Sequence, residues 1–219
     1  MRVKNEDDAT FLQRQLDTFA SWCENNRMTL NASKCSVITF SRRLLTVSFD
    51  YELRGSVLNR VSCIKDLGVL MDSKLTFRDH VSYIVSKAYK TLGFVFRTTK
   101  HFSDIQCLRV LYCSLVRSIL EYSSVVWAPY YTNGIQRIEA IQRKFVRYAL
   151  RRLPWNDPLN LPRYEDRCTL IRLEPLRVRR NVAKALFVFD LIQSNIDCAD
   201  LLGRLNFNSR PRNLRNHDF

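Results

Sequence analysis

From residue 77 to 149 the apolar residues recur at helical spacing, and this constrains the fold more than any other feature. Phe77, Val81, Ile84, Val85, Ala88, Leu92 and Val95 repeat every three or four positions. They define one buried stripe over about five turns. Leu108, Leu111, Tyr112, Leu115, Ile119 and Tyr122 form a second stripe, and Ile138, Ile141, Phe145, Tyr148 and Ala149 a third. Three amphipathic helices in succession bury their apolar stripes by packing on one another. Pro129 and a Thr132-Asn133-Gly134 loop separate the second stripe from the third. Helical patterning resumes from Tyr164 to about Leu202, beyond a corner at 154–162 that carries prolines 154, 158 and 162. The last dozen or so residues are polar and basic and read as a loose tail.

The stretch before residue 75 has a different grammar. Residues 6–26 read as a helix with Leu12, Leu16, Phe19 and Cys23 on its buried face. Glu6, Asp7 and Asp8 sit where carboxylates complement the helix dipole. An Asp-Asp pair invites comparison with polymerase metal ligands. Such a pair needs a tight turn between strands to converge on Mg²⁺, whereas this one opens a helix. Residues 35–40 and 46–71 are rich in strand formers. Arg54-Gly55 is a hairpin signal, and 64–71 reads as a further strand. The fold class that follows is α+β. A small antiparallel sheet with one helix precedes an all-helical part and a helical C-terminal extension.

Charge narrows the partners. Lysine and arginine outnumber the acids 35 to 21, a formal charge of +14, which favours a polyanion. Nucleic acid ranks ahead of an anionic membrane surface. No apolar run approaches the about 18–20 residues of a membrane span, and the N-terminus lacks an apolar signal core. The seven cysteines form no C-x-x-C and have no histidine at zinc-ligand spacing. They read as mostly buried thiols in a reducing, intracellular compartment, with no metal site.

The basic residues fall on helix faces. Lys90 and Arg97 lie opposite the first stripe, with Lys87 on its flank. Arg143, Arg147 and Arg151 stand at i, i+4 and i+8. Like charges at that spacing repel by about 0.2–0.5 kcal/mol per pair, so the row suits a compensating anion as well as an ordinary solvated face. Residues 137–184 hold thirteen Lys/Arg against five Asp/Glu. Phosphate backbone contact uses such a surface and gives salt-sensitive, sequence-blind binding.

Other residues keep two readings each. Lys34, on a helix-to-strand corner, is either solvated or a donor to a phosphate. Gly68, within Leu67-Gly68-Val69, marks either a close approach or a bulge. Trp127, Tyr130, Tyr131 and Trp155 serve either base stacking or packing. His80, His101 and His217 have no evident partners.

The order of these pieces resembles the reverse transcriptase of insect-type, Jockey-like non-LTR retrotransposons. The resemblance is carried by Leu12-Gln13-Arg14-Gln15-Leu16-Asp17, Trp22-Cys23…Asn31…Lys34-Cys35 and Ile64-Lys65-Asp66-Leu67-Gly68-Val69…Asp72. It continues through Leu92-Gly93-Phe94…Arg97, Leu115-Val116-Arg117…Leu120-Glu121-Tyr122…Trp127, Ile138-Glu139…Phe145 and Leu153-Pro154-Trp155…Tyr164-Glu165-Asp166-Arg167.

The resemblance implies that 1–73 is the C-terminal part of a polymerase palm. Lys34 would be its motif-D lysine, and Leu67 and Gly68 would form its primer grip. It implies that 74–153 is a thumb whose Lys87, Lys90, Arg97, Arg143, Arg147 and Arg151 meet an RNA/DNA primer–template. Residues 154–205 would be a post-thumb extension and 206–219 a flexible tail. The family's Phe/Tyr-Ala-Asp-Asp turn would fall before Met1, so the chain is expected to be a fragment that lacks the N-terminal part of the polymerase. Mg²⁺ would belong to the intact enzyme, and this chain alone would be inactive, with no cofactor of its own. A nuclear or cytoplasmic ribonucleoprotein setting follows from the same resemblance. The alternative reading is a host-co-opted, non-enzymatic nucleic-acid-binding or interaction protein.

Overall fold

Helix α1 (Glu6–Asn25) opens a computed structural model that describes residues 3–43, 47–152 and 162–205. Asn5 caps it by accepting from the Asp8 amide, and Glu6, Asp7 and Asp8 occupy the first turn. The adjacent aspartates therefore serve the helix start. The inward face is Ala9, Ala20 and Cys23, with Leu12 and Leu16 half-buried. Phe19, expected inside, is exposed and stacks on the equally exposed Trp22 at 6.3 Å. The small alanines admit the neighbouring backbone, so the buried face is centred away from Phe19.

In place of one antiparallel sheet there are three two-stranded ladders. β1 (Ser36–Val37) pairs in parallel with β4 (Asn59–Arg60), and β2 (Glu52–Leu53) pairs antiparallel with β3 (Ser56–Val57). The turn between β2 and β3 is Arg54-Gly55, both at positive φ (53° and 72°), as a type I′ hairpin requires. Gln13 ties α1 to this hairpin, donating to the Glu52 carbonyl and accepting from the Glu52 amide.

The expected strand 64–71 is two strands. β5 (Cys63–Asp66) and β6 (Val69–Asp72) pair antiparallel, with Lys65 opposite Leu70. Leu67-Gly68 is thus a hairpin turn rather than a mid-strand step, with φ of 43° and 88°. Asp72 then organises the entry to the helices. Its carboxylate accepts from the amides of Lys74, Thr76 and Phe77 and from the Thr76 hydroxyl.

Helix α2 (Arg78–Thr98) buries Val81, Ile84, Val85, Ala88, Leu92 and Val95, with Phe77 half-buried before it. The second stripe is rotated from its expected face. α3 (Ile105–Leu111), a π-helical segment (Tyr112–Arg117) and α4 (Ser118–Glu121) follow one another without a break. The wider π turn keeps residues four apart on one side. Leu108, Tyr112, Val116 and Leu120 are therefore completely buried, while Leu115 and Tyr122 turn outward.

After α5 (Ser124–Trp127), α6 (Thr132–Leu150) buries Ile138, Ile141, Phe145 and Ala149. The loop expected at Thr132-Asn133-Gly134 is its first turn. Gly134 is needed there, because a Cβ would lie 2.8 Å from the Pro129 Cβ. α2 and α6 lie side by side and run the same way. Arg137 reaches the Ser82 hydroxyl (3.2 Å), Lys144 covers the Tyr89 ring (5.5 Å), and Tyr148 stacks on Phe96 (4.1 Å).

The extension comprises α7 (Tyr164–Leu170), α8 (Leu176–Ile192) and α9 (Ala199–Leu202). Buried Glu139 of α6 anchors it. Its carboxylate accepts from the Tyr164 hydroxyl (2.6 Å) and from the Leu176 and Arg177 amides at the start of α8, and it pairs with buried Arg180 (3.9 Å). One hydrophobic core runs from Val69 through α2, α3, the π segment, α4 and α6 to Leu176. Most of the corner read at 154–162 lies outside the described residues, together with Trp155, His217 and the tail 206–219. Among the cysteines only Cys23 and Cys168 are buried, Cys63 is exposed, and none is paired.

Candidate nucleic-acid interface

The outward faces of α2 and α6 carry the basic residues read from sequence. Lys90 and Arg97 are exposed on α2, and Arg143, Arg147 and Arg151 are exposed along α6. The Lys144–Tyr89 contact brings these two faces next to each other. From 80 to 98 and from 132 to 152 the one carboxylate is Glu139, which is buried and fully engaged. These two helix faces therefore present cations without interleaved acids of their own. Arg143 lays its guanidinium over the Tyr164 ring at 5.0 Å, a cation–π contact that holds the end of the row nearest α7. Arg152 is turned away from this surface, donating to the carbonyls of Lys100, Phe102 and Tyr148.

Lys87 is not part of that face. It lines a cleft of about 310 Å³ between the β5–β6 hairpin, α2 and α4. Gly68, also read as a site residue, lines the same cleft, together with Lys65, His80, Tyr83 and Tyr122. The other basic site residues stand apart from it. Leu67 projects from the turn with 84% of its surface exposed. A non-glycine residue in the left-handed region costs about 1–2 kcal/mol, and the turn is held by Tyr122. The Tyr122 hydroxyl donates to the Leu67 carbonyl at 3.0 Å, and its ring lies 3.4 Å from where a Gly68 Cβ would be. Both readings of Gly68 are replaced by this turn with an aromatic ring against it.

His80 was given no role from sequence, yet it is 98% buried (2% exposed) at this cleft. Its Nδ1 accepts from the Leu70 amide (3.2 Å), and its ring meets Trp127 edge-on at 5.0 Å. Burial, and then the charge of Lys65, lowers its pKa from the ordinary 6.5, so near neutral pH it is an uncharged imidazole bearing its proton on Nε2. The spacing His80, Tyr83, Lys87, three and then four apart on one helix, was the available signal. The partners across the cleft, Lys65 and Tyr122, had no local signal because they meet only in the tertiary fold.

Lys34 ends a single 3₁₀ turn (Ala32–Lys34) before β1 and is exposed. Trp127 is buried, donating from Nε1 to the Tyr122 carbonyl (2.7 Å). Tyr130 and Tyr131 are 91% and 70% exposed, and Lys184 covers the Tyr130 ring. Among the described residues no three metal-ligating side chains converge. No described helix is long and apolar enough to cross a membrane.

Comparison with known proteins finds similarity to the RNA-directed DNA polymerases of non-LTR mobile elements of Drosophila. It is 28% identical over 148 residues to the RNA-directed DNA polymerase from mobile element jockey of Drosophila melanogaster, a match covering 66% of this chain and 16% of that protein. It is 26% identical over 164 residues to the probable RNA-directed DNA polymerase from transposon BS of the same species, covering 71% of this chain and 18% of the relative. The jockey polymerase of Drosophila funebris matches at 26% over 148 residues, 66% of this chain and 16% of its own. The chain thus spans less than a fifth of the length of the curated relatives it matches. No protein-family model and no solved structure matches it.

Proposed function

We propose that the chain is the nucleic-acid-gripping segment of an RNA-directed DNA polymerase, and that the outer face of α2 and α6 contacts the backbone of an RNA–DNA primer–template. In this reading residues 1–73 are the tail of the palm, with Lys34 near the chemistry and the Leu67-Gly68 turn near the primer. Residues 74–153 are the thumb, and α7 to α9 are an extension seated on it. The observation that carries the proposal is the row of exposed cations Lys90, Arg97, Arg143, Arg147 and Arg151 on two neighbouring helices that carry no exposed carboxylate from 80 to 98 or from 132 to 152. The names of the Drosophila relatives, which are RNA-directed DNA polymerases, support the same reading.

Backbone contact makes affinity fall steeply with salt, with log K changing by about 0.7–0.9 per phosphate for each unit of log salt. The test is titration of an RNA–DNA hybrid at several salt concentrations. Arg143→Ala, Arg147→Ala and Arg151→Ala combined should weaken binding to unrelated sequences equally and flatten the salt slope by about 2–3 units. Salt-independent binding, or a loss confined to one sequence, would contradict the proposal.

A further inference from the structure

We propose that the cleft between the β5–β6 hairpin, α2 and α4 is a binding site for a phosphate monoester. The groups that line it suit such an anion. Lys65 enters from β5 and Lys87 from α2, two exposed ammonium groups from separate elements. Lys65 also lies over the Tyr83 ring at 5.1 Å, which steadies it at the rim. Among the described residues no carboxylate lines the cleft, so neither lysine has a counter-ion among them there.

His80 is the second, independent observation. Its buried Nε2 has no hydrogen-bond partner among the described residues. A buried donor left unsatisfied costs about 1–3 kcal/mol, and the residue that carries it lines the cleft. Nδ1 is committed to the Leu70 amide, which assigns the proton to Nε2. An imidazole fixed in this way donates without needing to be charged.

Size and wall chemistry limit the ligand further. About 310 Å³ is at the small end of ligand sites. Tyr83 and Tyr122 give it aromatic walls, and Ile84 and Ile119 give apolar ones. A phosphate with a ring attached fits these walls better than a bare anion. Two sources supply that chemistry, a free nucleotide or the phosphorylated end of a nucleic-acid strand, and inorganic phosphate is the bare anion against which they are compared.

The experiment titrates the full chain with inorganic phosphate, thymidine 5′-monophosphate, and a short single strand with either a 5′-phosphate or a 5′-hydroxyl. Binding is read by calorimetry and by the ring resonances of His80. The expected result is saturable binding of at least one phosphate monoester with a shift of the His80 resonances. Lys65→Ala with Lys87→Ala should weaken it at least tenfold. Lys4→Ala with Arg14→Ala, which removes the same charge from α1 and the segment just before it, should not.

The arm that saturates at the lowest concentration identifies the source, and a strand that binds equally with a 5′-hydroxyl excludes the terminal phosphate. If no arm saturates, if His80 is unmoved, or if the two double variants weaken binding equally, the proposal is overturned. Both altered lysines are exposed, so the variants test the site rather than the core. No duplex is present, so the result does not depend on the hybrid titration.

Discussion

One carboxylate sets the entry to the longest helix. Burial of Asp72 acts to raise its pKa, but the hydrogen bonds from Thr76, Phe77 and Lys74 outweigh it and hold the group below its ordinary 3.8. A depressed folded pKa means that the contribution is fully present above the unfolded pKa, and that it is lost as pH falls through the lower, folded one. Stability should therefore decline on the acid side, below about pH 4. Asp72→Ala should remove that acid-side component and destabilise the fold by about 1–3 kcal/mol, the cost of amides stripped of a charged acceptor. Denaturant melts of both proteins at pH 7 and pH 3 check it, and a gap of the same size at both would refute the assignment. Gly68 acts at the same scale. Its φ of 88° strains any side chain at this position, although a Cβ would meet the Tyr122 ring in ordinary contact at 3.4 Å. Gly68→Ala should destabilise the hairpin by about 1–2 kcal/mol, read in a denaturant melt.

At the level of elements, the long helices were legible in the sequence and their rotation was not. The α2 stripe needed nothing beyond a period of 3.6, and every residue read into it is buried or half-buried. The α3–α4 stripe failed at Leu115 and Tyr122 because a π turn changes the period without any composition signal. The β5–β6 hairpin was read as one strand because Leu67 is a poor turn residue, tolerated only through its contact with Tyr122. The arginine row was visible because it is local to one helix, whereas the Lys65–His80–Lys87 cleft joins elements that sequence cannot juxtapose.

Glu139 was likewise unremarkable in sequence, as one acid among basic residues, yet it joins α6 to α7 and α8. Losing one partner of a buried ion pair costs about 3–5 kcal/mol. Glu139→Ala would leave the Tyr164 hydroxyl and two α8 amides without their acceptor and buried Arg180 without its counter-ion. The variant should melt with α7 and α8 detaching first, visible as protease cleavage between residues 162 and 192. A variant that melts in one step at unchanged temperature would remove Glu139 from this role.

For the whole molecule, the distribution of burial predicts two tiers of stability. The contiguous core spans Val69 to Leu176 and contains no residue from α1 or β1 to β4. That first layer has its own small set of buried apolar side chains, Ala9, Ala20, Cys23, Tyr51 and Leu53. Its ladders β1–β4 and β2–β3 are only two residues long, and two-stranded ladders are marginal without a packed face. At about 25 cal/mol per Å² of buried apolar surface, a handful of small side chains holds far less than the helical core. Local opening follows such differences.

Hydrogen exchange should therefore be fast throughout α1 and β1–β4 and slowest in α2, the π segment and α6. The β5–β6 hairpin should exchange with the slow set, because Val69 belongs to the helical core and Tyr122 and His80 bond the hairpin's backbone. This ordering separates Lys34, on the mobile tier, from the cleft and the arginine row, on the rigid one. If α1 exchanged as slowly as α6, the first layer would have to be part of the same cooperative unit, and Lys34 would be held as firmly as the arginine row of α6.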